Sequence, residues 1–431
     1  MADRRPTRRP SGRPAGRSTG RSSRGSTGRR SSSSRPTARQ VAGTVKSYKM
    51  AEKRQTRLRV IAIIVLLILL IIIAMSSFRL ASMSSLRDGS KSFWSRMGPG
   101  KGYPYQLNSS DVDSIGVLNG DIFVLENNKT MTLNTTAKEV KNVKHSYARP
   151  AMSIASDRAL VYDRAGTRYR VENRTDIIAQ GKLHSDEQII TGAVGKKGNI
   201  AFGTLCNDAT SRLVVYNSTY KKRIFVWDCA EYTISSVALS DNGKYAAVSV
   251  IGSENAEEYS KIFIFDFDYS EPIFEGEYLG NTLIAVHFTD NNNVAAVGDN
   301  GLVFVKDLRR SQKIQLNDST LSAFAFGENG DTITVQARYG SVNTQQLVGY
   351  RPSGKEDFRV DYDEQIKALA VSHSRIGVLT SNTVDLYGYN GYLHKKVSAD
   401  SNSIKPLLVG NKVYVYEMGS IVKAHHVSRK S

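Results

Sequence analysis

VALSDNGKYAAV, residues Val237–Val248, reads as one strand, a tight turn and a second strand. Val237 and Leu239 alternate with smaller residues. Ser240-Asp241-Asn242-Gly243 then supplies the side chains and the glycine that a hairpin turn needs, and Tyr245-Ala246-Ala247-Val248 restarts an apolar run. Outward from this stretch, the same phrase recurs. Turns stand at Asn119–Asp121, Ser156–Arg158, Lys197–Asn199, Asp241–Gly243, Asn291–Asn293, Glu328–Gly330, His373–Arg375 and Gly410–Lys412. The strands after them begin near Ile122, Ala159, Ile200, Tyr245, Val294, Thr332, Ile376 and Val413, spaced by 37, 41, 45, 49, 38, 44 and 37 residues. A third strand follows most turns, as at Leu213–Tyr216, Ile262–Phe265, Leu302–Val305, Leu347–Tyr350 and Val384–Tyr387. A more polar fourth follows at Arg223–Trp227, Lys313–Leu316 and Phe358–Val360. Four antiparallel strands in about 40 residues is the period of a propeller blade. The fold class is therefore all-β: an eight-bladed propeller, or a seven-bladed one if a unit is a decoration.

The last unit, Ile404–Val409, Lys412–Glu417 and Ser420–His426, lacks its fourth strand. Just before the first unit lies YPYQL, Tyr103–Leu107. If Tyr103, Tyr105 and Leu107 form a ring-closing strand on the last blade, neither terminus leaves an unpaired edge.

The Val237–Val248 phrase resembles the strand–turn–strand of WD-repeat-like bacterial propellers, including the TolB and lactonase-like groups. The plan of a basic tail (residues 1–59, with 15 Arg and 3 Lys), a single uncharged stretch of 19 residues (Val60–Phe78, VIAIIVLLILLIIIAMSSF) and a propeller is similar to that of an uncharacterised family of membrane-anchored propellers in Gram-positive bacteria. That resemblance implies fold and location and brings no activity. Trp227-Asp228 is the one Trp-Asp pair, and two tryptophans in all exclude the recurring Trp of quinone-cofactor propellers.

The N-terminal part is of another kind. Residues 1–59 hold 15 Arg and 3 Lys against Asp3 and Glu52, so +16 of the net +19 lies there and +3 on the other 372 residues. Arg, Ser, Gly, Thr and Pro dominate, which predicts a disordered tail. Val60–Phe78, VIAIIVLLILLIIIAMSSF, is 19 residues without a charge, about 28 Å as a helix, and predicts one transmembrane span. Fifty-nine residues precede it, too many for a signal peptide's charged start. The excess of Lys and Arg on its N-terminal side predicts a cytoplasmic N-terminus and an extracytoplasmic C-terminal part. The expected organisation is then a cytoplasmic tail (1–59), a transmembrane helix (60–78), a stalk (79–102) and a β-propeller (103–431). Partners implied are the lipid bilayer through 60–78 and anionic lipid at the basic segment 46–59. Nucleic acid is disfavoured, since no aromatic residues are interleaved with the basic ones.

No catalytic, cofactor or metal residues emerge. The seven histidines scatter over different units and strand positions, only His425 and His426 being adjacent; no Cys or His pair has zinc-site spacing, and no Gly-x-Ser-x-Gly elbow occurs. Cys206 and Cys229 each end a strand of one unit, the second and the fourth. A disulfide between them needs the loop after Cys206 to fold across the intervening strand. The segments Gly252–Ser260 and Tyr339–Gln346 exceed a tight hairpin and read as recognition loops. These features favour a binding or scaffold module for an envelope protein or polymer over a propeller hydrolase or lactonase, or a sensor that couples an outside ligand to the tail.

Overall fold

The computed structural model describes residues 65–66, 98–107 and 112–425, except 255–256, 339 and 341–343. The chain divides into two units, 1–82 and 83–431. The basic tail and nearly all of the predicted span 60–78 lie outside the described residues, as does most of the stalk. Among the described residues no helix is long and apolar enough to cross a membrane.

Residues 105–423 form eight four-stranded antiparallel sheets, the blades of a propeller. They comprise 112–144, 150–182, 188–229, 233–279, 283–315, 319–362, 368–398, and 403–423 completed by Tyr105–Gln106. Each blade is laid down in chain order, innermost strand first. The second strands start at Asp121, Arg158, Ile200, Tyr245, Val294, Thr332, Ile376 and Lys412, within one residue of the starts expected from the repeat. Eight blades are present, and the seven-bladed alternative falls away.

Burial explains the residue choice. The second and third strands of a blade are covered on both faces by neighbouring blades, so Val294–Gly298 and Thr383–Tyr387 are almost wholly buried. Such strands need continuous apolar runs instead of alternation. The fourth strand is the outer edge, and Arg310–Gln315 (RSQKIQ) is exposed along nearly its whole length. Charge there discourages edge-to-edge pairing. The turn after the first strand of blade 1 places Asn119 and Gly120 at φ 48° and 77°, the two left-handed positions of a type I′ hairpin.

The last blade closes as strand addition from the N-terminal side: Tyr105 sits opposite Ile421 and Gln106 opposite Ser420. Leu107 N–H donates to Gly419 O at 2.9 Å. The Tyr103 ring lies 4.6 Å from that of Tyr414, and its hydroxyl donates to Asn134 O at 2.9 Å on blade 1.

Two expectations change. Gly252–Ser260 is no loose loop. Tyr245–Glu254 and Glu257–Asp266 pair without interruption from Tyr245–Asp266 out to Glu254–Glu257, a hairpin that outgrows its blade. Of Tyr339–Gln346, Gln345 and Gln346 begin a strand, while Tyr339 and residues 341–343 lie outside the described residues. Cys206 and Cys229 are free thiols. The Ser211–Tyr216 strand separates their strands, with Ser211 opposite Cys229. Cys206 Sγ donates instead to Ala209 O at 3.3 Å, so its turn closes on itself and does not reach across.

The seam between blades 1 and 2 is polar and charged. Glu172, fully buried, takes Lys141 at 2.5 Å, the Arg170 guanidinium, and the Thr130 hydroxyl at 2.9 Å. Arg174 Nε donates to Asp121 at 2.7 Å beside it. A set of buried charges this complete fixes which blades meet more than it adds stability.

Candidate binding cavity on the propeller axis

All eight innermost strands run the same way, so all eight first turns converge on one face around the axis. This turn face also receives the incoming chain: Gly102 N–H donates to Thr136 O at 3.1 Å and Gly100 N–H to Thr136 Oγ1 at 2.9 Å. The turns are stitched to one another. Asn119 N–H donates to Ser156 O at 3.2 Å, Lys196 pairs with Asp241 at 2.7 Å, and Asn242 N–H donates to Asn291 Oδ1 at 2.7 Å. Further round, His373 stands 4.0 Å from Glu328, and the Arg375 guanidinium donates to Gly410 O.

Inside this ring lies a cavity of about 740 Å³. Val117, Ile154, Ala155 and Phe326 give it an apolar wall, and Asn119, Ser156, Lys196, Glu328 and His373 a polar rim. Residues of six blades contribute. His287 and Thr289, at the end of one innermost strand, complete the lining. The His287 ring stacks on Phe326 with centroids 4.7 Å apart and planes within 16°. Burial, then Lys196, pushes its pKa down from 6.5 to about 4, so the imidazole is neutral near pH 7. Among the described residues its ring nitrogens have no hydrogen-bond partner, and the buried Thr289 hydroxyl has none either. An apolar wall with a few convergent polar groups, two of them unengaged, is the usual make-up of a ligand cavity.

The histidines scatter around the ring, with His373 and His394 both in the blade at 368–398. Two of them, His287 and His373, nevertheless meet at this cavity, because ring geometry collects equivalent turn positions from distant blades. The signal was the repeat itself: residues flanking each first turn are neighbours in space. Among the described residues no group of three His, Cys, Asp or Glu is placed to hold a metal ion. Tyr105 lies in the closing strand, with Tyr103 and Leu107 flanking it, and none of the three lines this cavity.

No curated protein matches the chain. Among solved structures it is similar to Sqt1 of Chaetomium thermophilum bound to the N-terminus of ribosomal protein L10, with TM-score 0.52, 11% identity, and 75% of this chain and 98% of that one covered. It is also similar to the C-terminal WD40 domain of Sif2, with TM-score 0.51, 13% identity, and 76% and 99% covered. These likenesses establish the fold alone. A family model matches residues 104–424, from the closing strand to the end of the last blade, and the chain thereby belongs to DUF5711, a family of unknown function.

Proposed function

We propose that this protein is a single-pass membrane protein whose propeller lies outside the cytoplasm and holds an envelope protein or polymer at the turn face. The observation that carries this reading is the axial cavity: it is lined from six blades, stitched by turn-to-turn contacts, and leaves His287 and Thr289 free to bond a ligand. Cross-stitching preorganises the lining, which lowers the ordering cost of binding. Sqt1, of the same fold, is bound to a peptide segment of its partner, which supports a protein as occupant. The uncharged stretch 60–78 and the basic residues before it support the anchor and its direction. Anchoring confines the cavity to a thin layer and raises its effective concentration for membrane-bound partners.

The test is a photo-crosslinking residue at Ser156 on the cavity rim, in the full chain in its native membrane. One envelope component should be captured, and Phe326→Ala should abolish capture while the thermal melt shows the propeller still folded. Turnover of a small substrate, lost in His287→Ala, would replace this reading with an enzyme.

A further inference from the structure

At the end opposite the turn face, the seam between blades 1 and 2 opens into a cleft of about 470 Å³. The chain leaves the outer strand of blade 1 at Lys144 and enters blade 2 at Pro150; between them His145, Ser146 and Tyr147 form one wall. The other wall is the outer half of blade 2, the strands Arg168–Glu172 and Ile177–Lys182. Arg168 sits opposite Lys182 and Arg170 opposite Gln180. Cross-strand partners share a face, and Arg170 shows which one: its guanidinium donates to Lys144 O at 3.0 Å. Arg168 likewise donates to Ser146 Oγ at 3.0 Å. These bonds hold the two walls together.

The fixed charges of the lining have one sign. Lys144, Arg168, Arg170 and Lys182 line the cleft, and no carboxylate among the described residues does. His145 adds no charge near pH 7, because burial, then the Arg170 charge, push its pKa below the ordinary range. Two buried carboxylates stand behind the walls. Glu172 answers both Lys141 and Arg170. Asp163 is 3.4 Å from Arg168 and also accepts from the N–H groups of Ala148 and Arg149. Counting Lys141, five cations meet two carboxylates. The excess is visible along the chain: residues 112–182 hold 11 Lys and Arg against 8 Asp and Glu, and that +3 equals the net charge of all residues 60–431. Positive charge gathered in a partly desolvated cleft is costly by itself, and it concentrates anions.

The donors narrow the anion. A guanidinium fork with two ammoniums beside it suits an oxyanion that offers several oxygens at once, as phosphate does, better than a two-oxygen carboxylate. The tyrosine rings are already engaged. Tyr147 stacks on His145 at 4.9 Å with the Arg168 guanidinium 5.4 Å over its ring, and Tyr169 is buried with its ring 4.9 Å from that of Phe202. Neither is left for a nucleobase to stack on. Positive charge also continues past the cleft, at the exposed Arg149 and Arg164, joined by Arg164 N–H donating to Arg149 O at 2.9 Å. A single phosphate leaves that pair unused; a chain of them does not.

We infer that the cleft between blades 1 and 2 binds a base-free polymer of linked phosphates, with Lys144, Arg168 and Lys182 holding one phosphate and Arg149 and Arg164 attracting its neighbours. This is a second site, on the face opposite the axial cavity, and it does not depend on what that cavity holds.

The experiment follows thermal melting of the full chain in detergent, with short-chain inorganic polyphosphate against sodium chloride of equal ionic strength. A ligand held by the folded state should raise the melting temperature by at least about 2 °C. Lys144→Gln combined with Lys182→Gln should remove the rise, and the corresponding double replacement by Arg should keep it. Both lysines are exposed, so without polymer all three chains should melt alike. Attraction of the polymer to the basic residues 1–59 is common to the three and drops out of the comparison. Poly-glutamate of matched charge should raise the melting temperature less. No rise in the native chain, a rise that survives in the Gln variant, or an equal rise with poly-glutamate overturns the inference. An equal rise with orthophosphate at the same total phosphate shows a site for the free ion, and one with phosphatidylglycerol in the micelles a site for a lipid headgroup; either overturns the polymer. Failure of the Ser156 crosslink bears on the axial cavity alone.

Discussion

His287 shows how one residue links burial to behaviour. Its imidazole is pressed against Phe326 and near Lys196, and its pKa falls to about 4 from an unfolded value near 6.5. Above pH 6.5 neither folded nor unfolded chain protonates it, and it adds no pH dependence. Between 6.5 and 4 the unfolded chain takes up a proton that the folded chain refuses, so stability falls as pH falls through that window. Below 4 both forms are protonated and the loss is complete, on the order of 3 kcal/mol. His287→Phe should therefore flatten this part of the stability profile, measured as melting temperature from pH 7 to pH 4. An unchanged slope would mean that the imidazole is hydrated in the cavity and titrates normally.

Among elements, the closing strand has the largest effect for its length. Two residues, Tyr105 and Gln106, pair with the last blade. Flanking contacts multiply that: Tyr105 OH donates to Glu139 at 2.8 Å, Tyr103 OH reaches Asn134 O, and Leu107 is buried in the cluster shared by the first and last blades. Burial drives both tyrosine pKa values well above the ordinary range, so these hydroxyls stay protonated donors. Deleting residues 101–108 unlatches the ring and exposes the Ser420–Lys423 edge. It should lower the melting temperature by more than 5 °C, whereas deleting 1–50 should leave it unchanged. Equal melting of the two truncations would show that the last blade holds without its outer strand. This element was legible in the sequence, because a three-stranded final unit and an orphan YPYQL run are complementary deficits. The Gly252–Ser260 hairpin was not, because its acidic and small residues look like loop text, and cross-strand pairing from Tyr245 outward carries it as strand. The axial cavity was not legible either. Its walls come from residues up to about 250 positions apart, such as Val117 and His373, and only the closed ring says which of them meet.

At the scale of the whole molecule, charge and fold are segregated. Residues 1–59 carry +16 and few apolar side chains; the rest is near neutral and carries the eight blades. The uncharged 60–78 stretch between them is long enough for a bilayer core. Because the basic residues cluster immediately before that stretch, moving the tail across a membrane would carry six Lys or Arg side chains of 46–59 with it, whereas the propeller side offers Arg79, Arg87, Lys91 and Arg96, offset by Asp88. In the proposed topology, protease added to intact cells stripped of their wall should digest residues 79–431 at exposed loops and leave a tag at residue 1 untouched. The compact blades slow digestion, so the diagnostic cut is in the segment between 79 and 97, which releases an intact propeller of residues 98–431 into the medium. The same protease after detergent lysis should remove the tag. Loss of the tag from intact cells with the propeller protected would reverse the orientation, and recovery of the uncut chain in the soluble fraction after lysis without detergent would remove the anchor altogether.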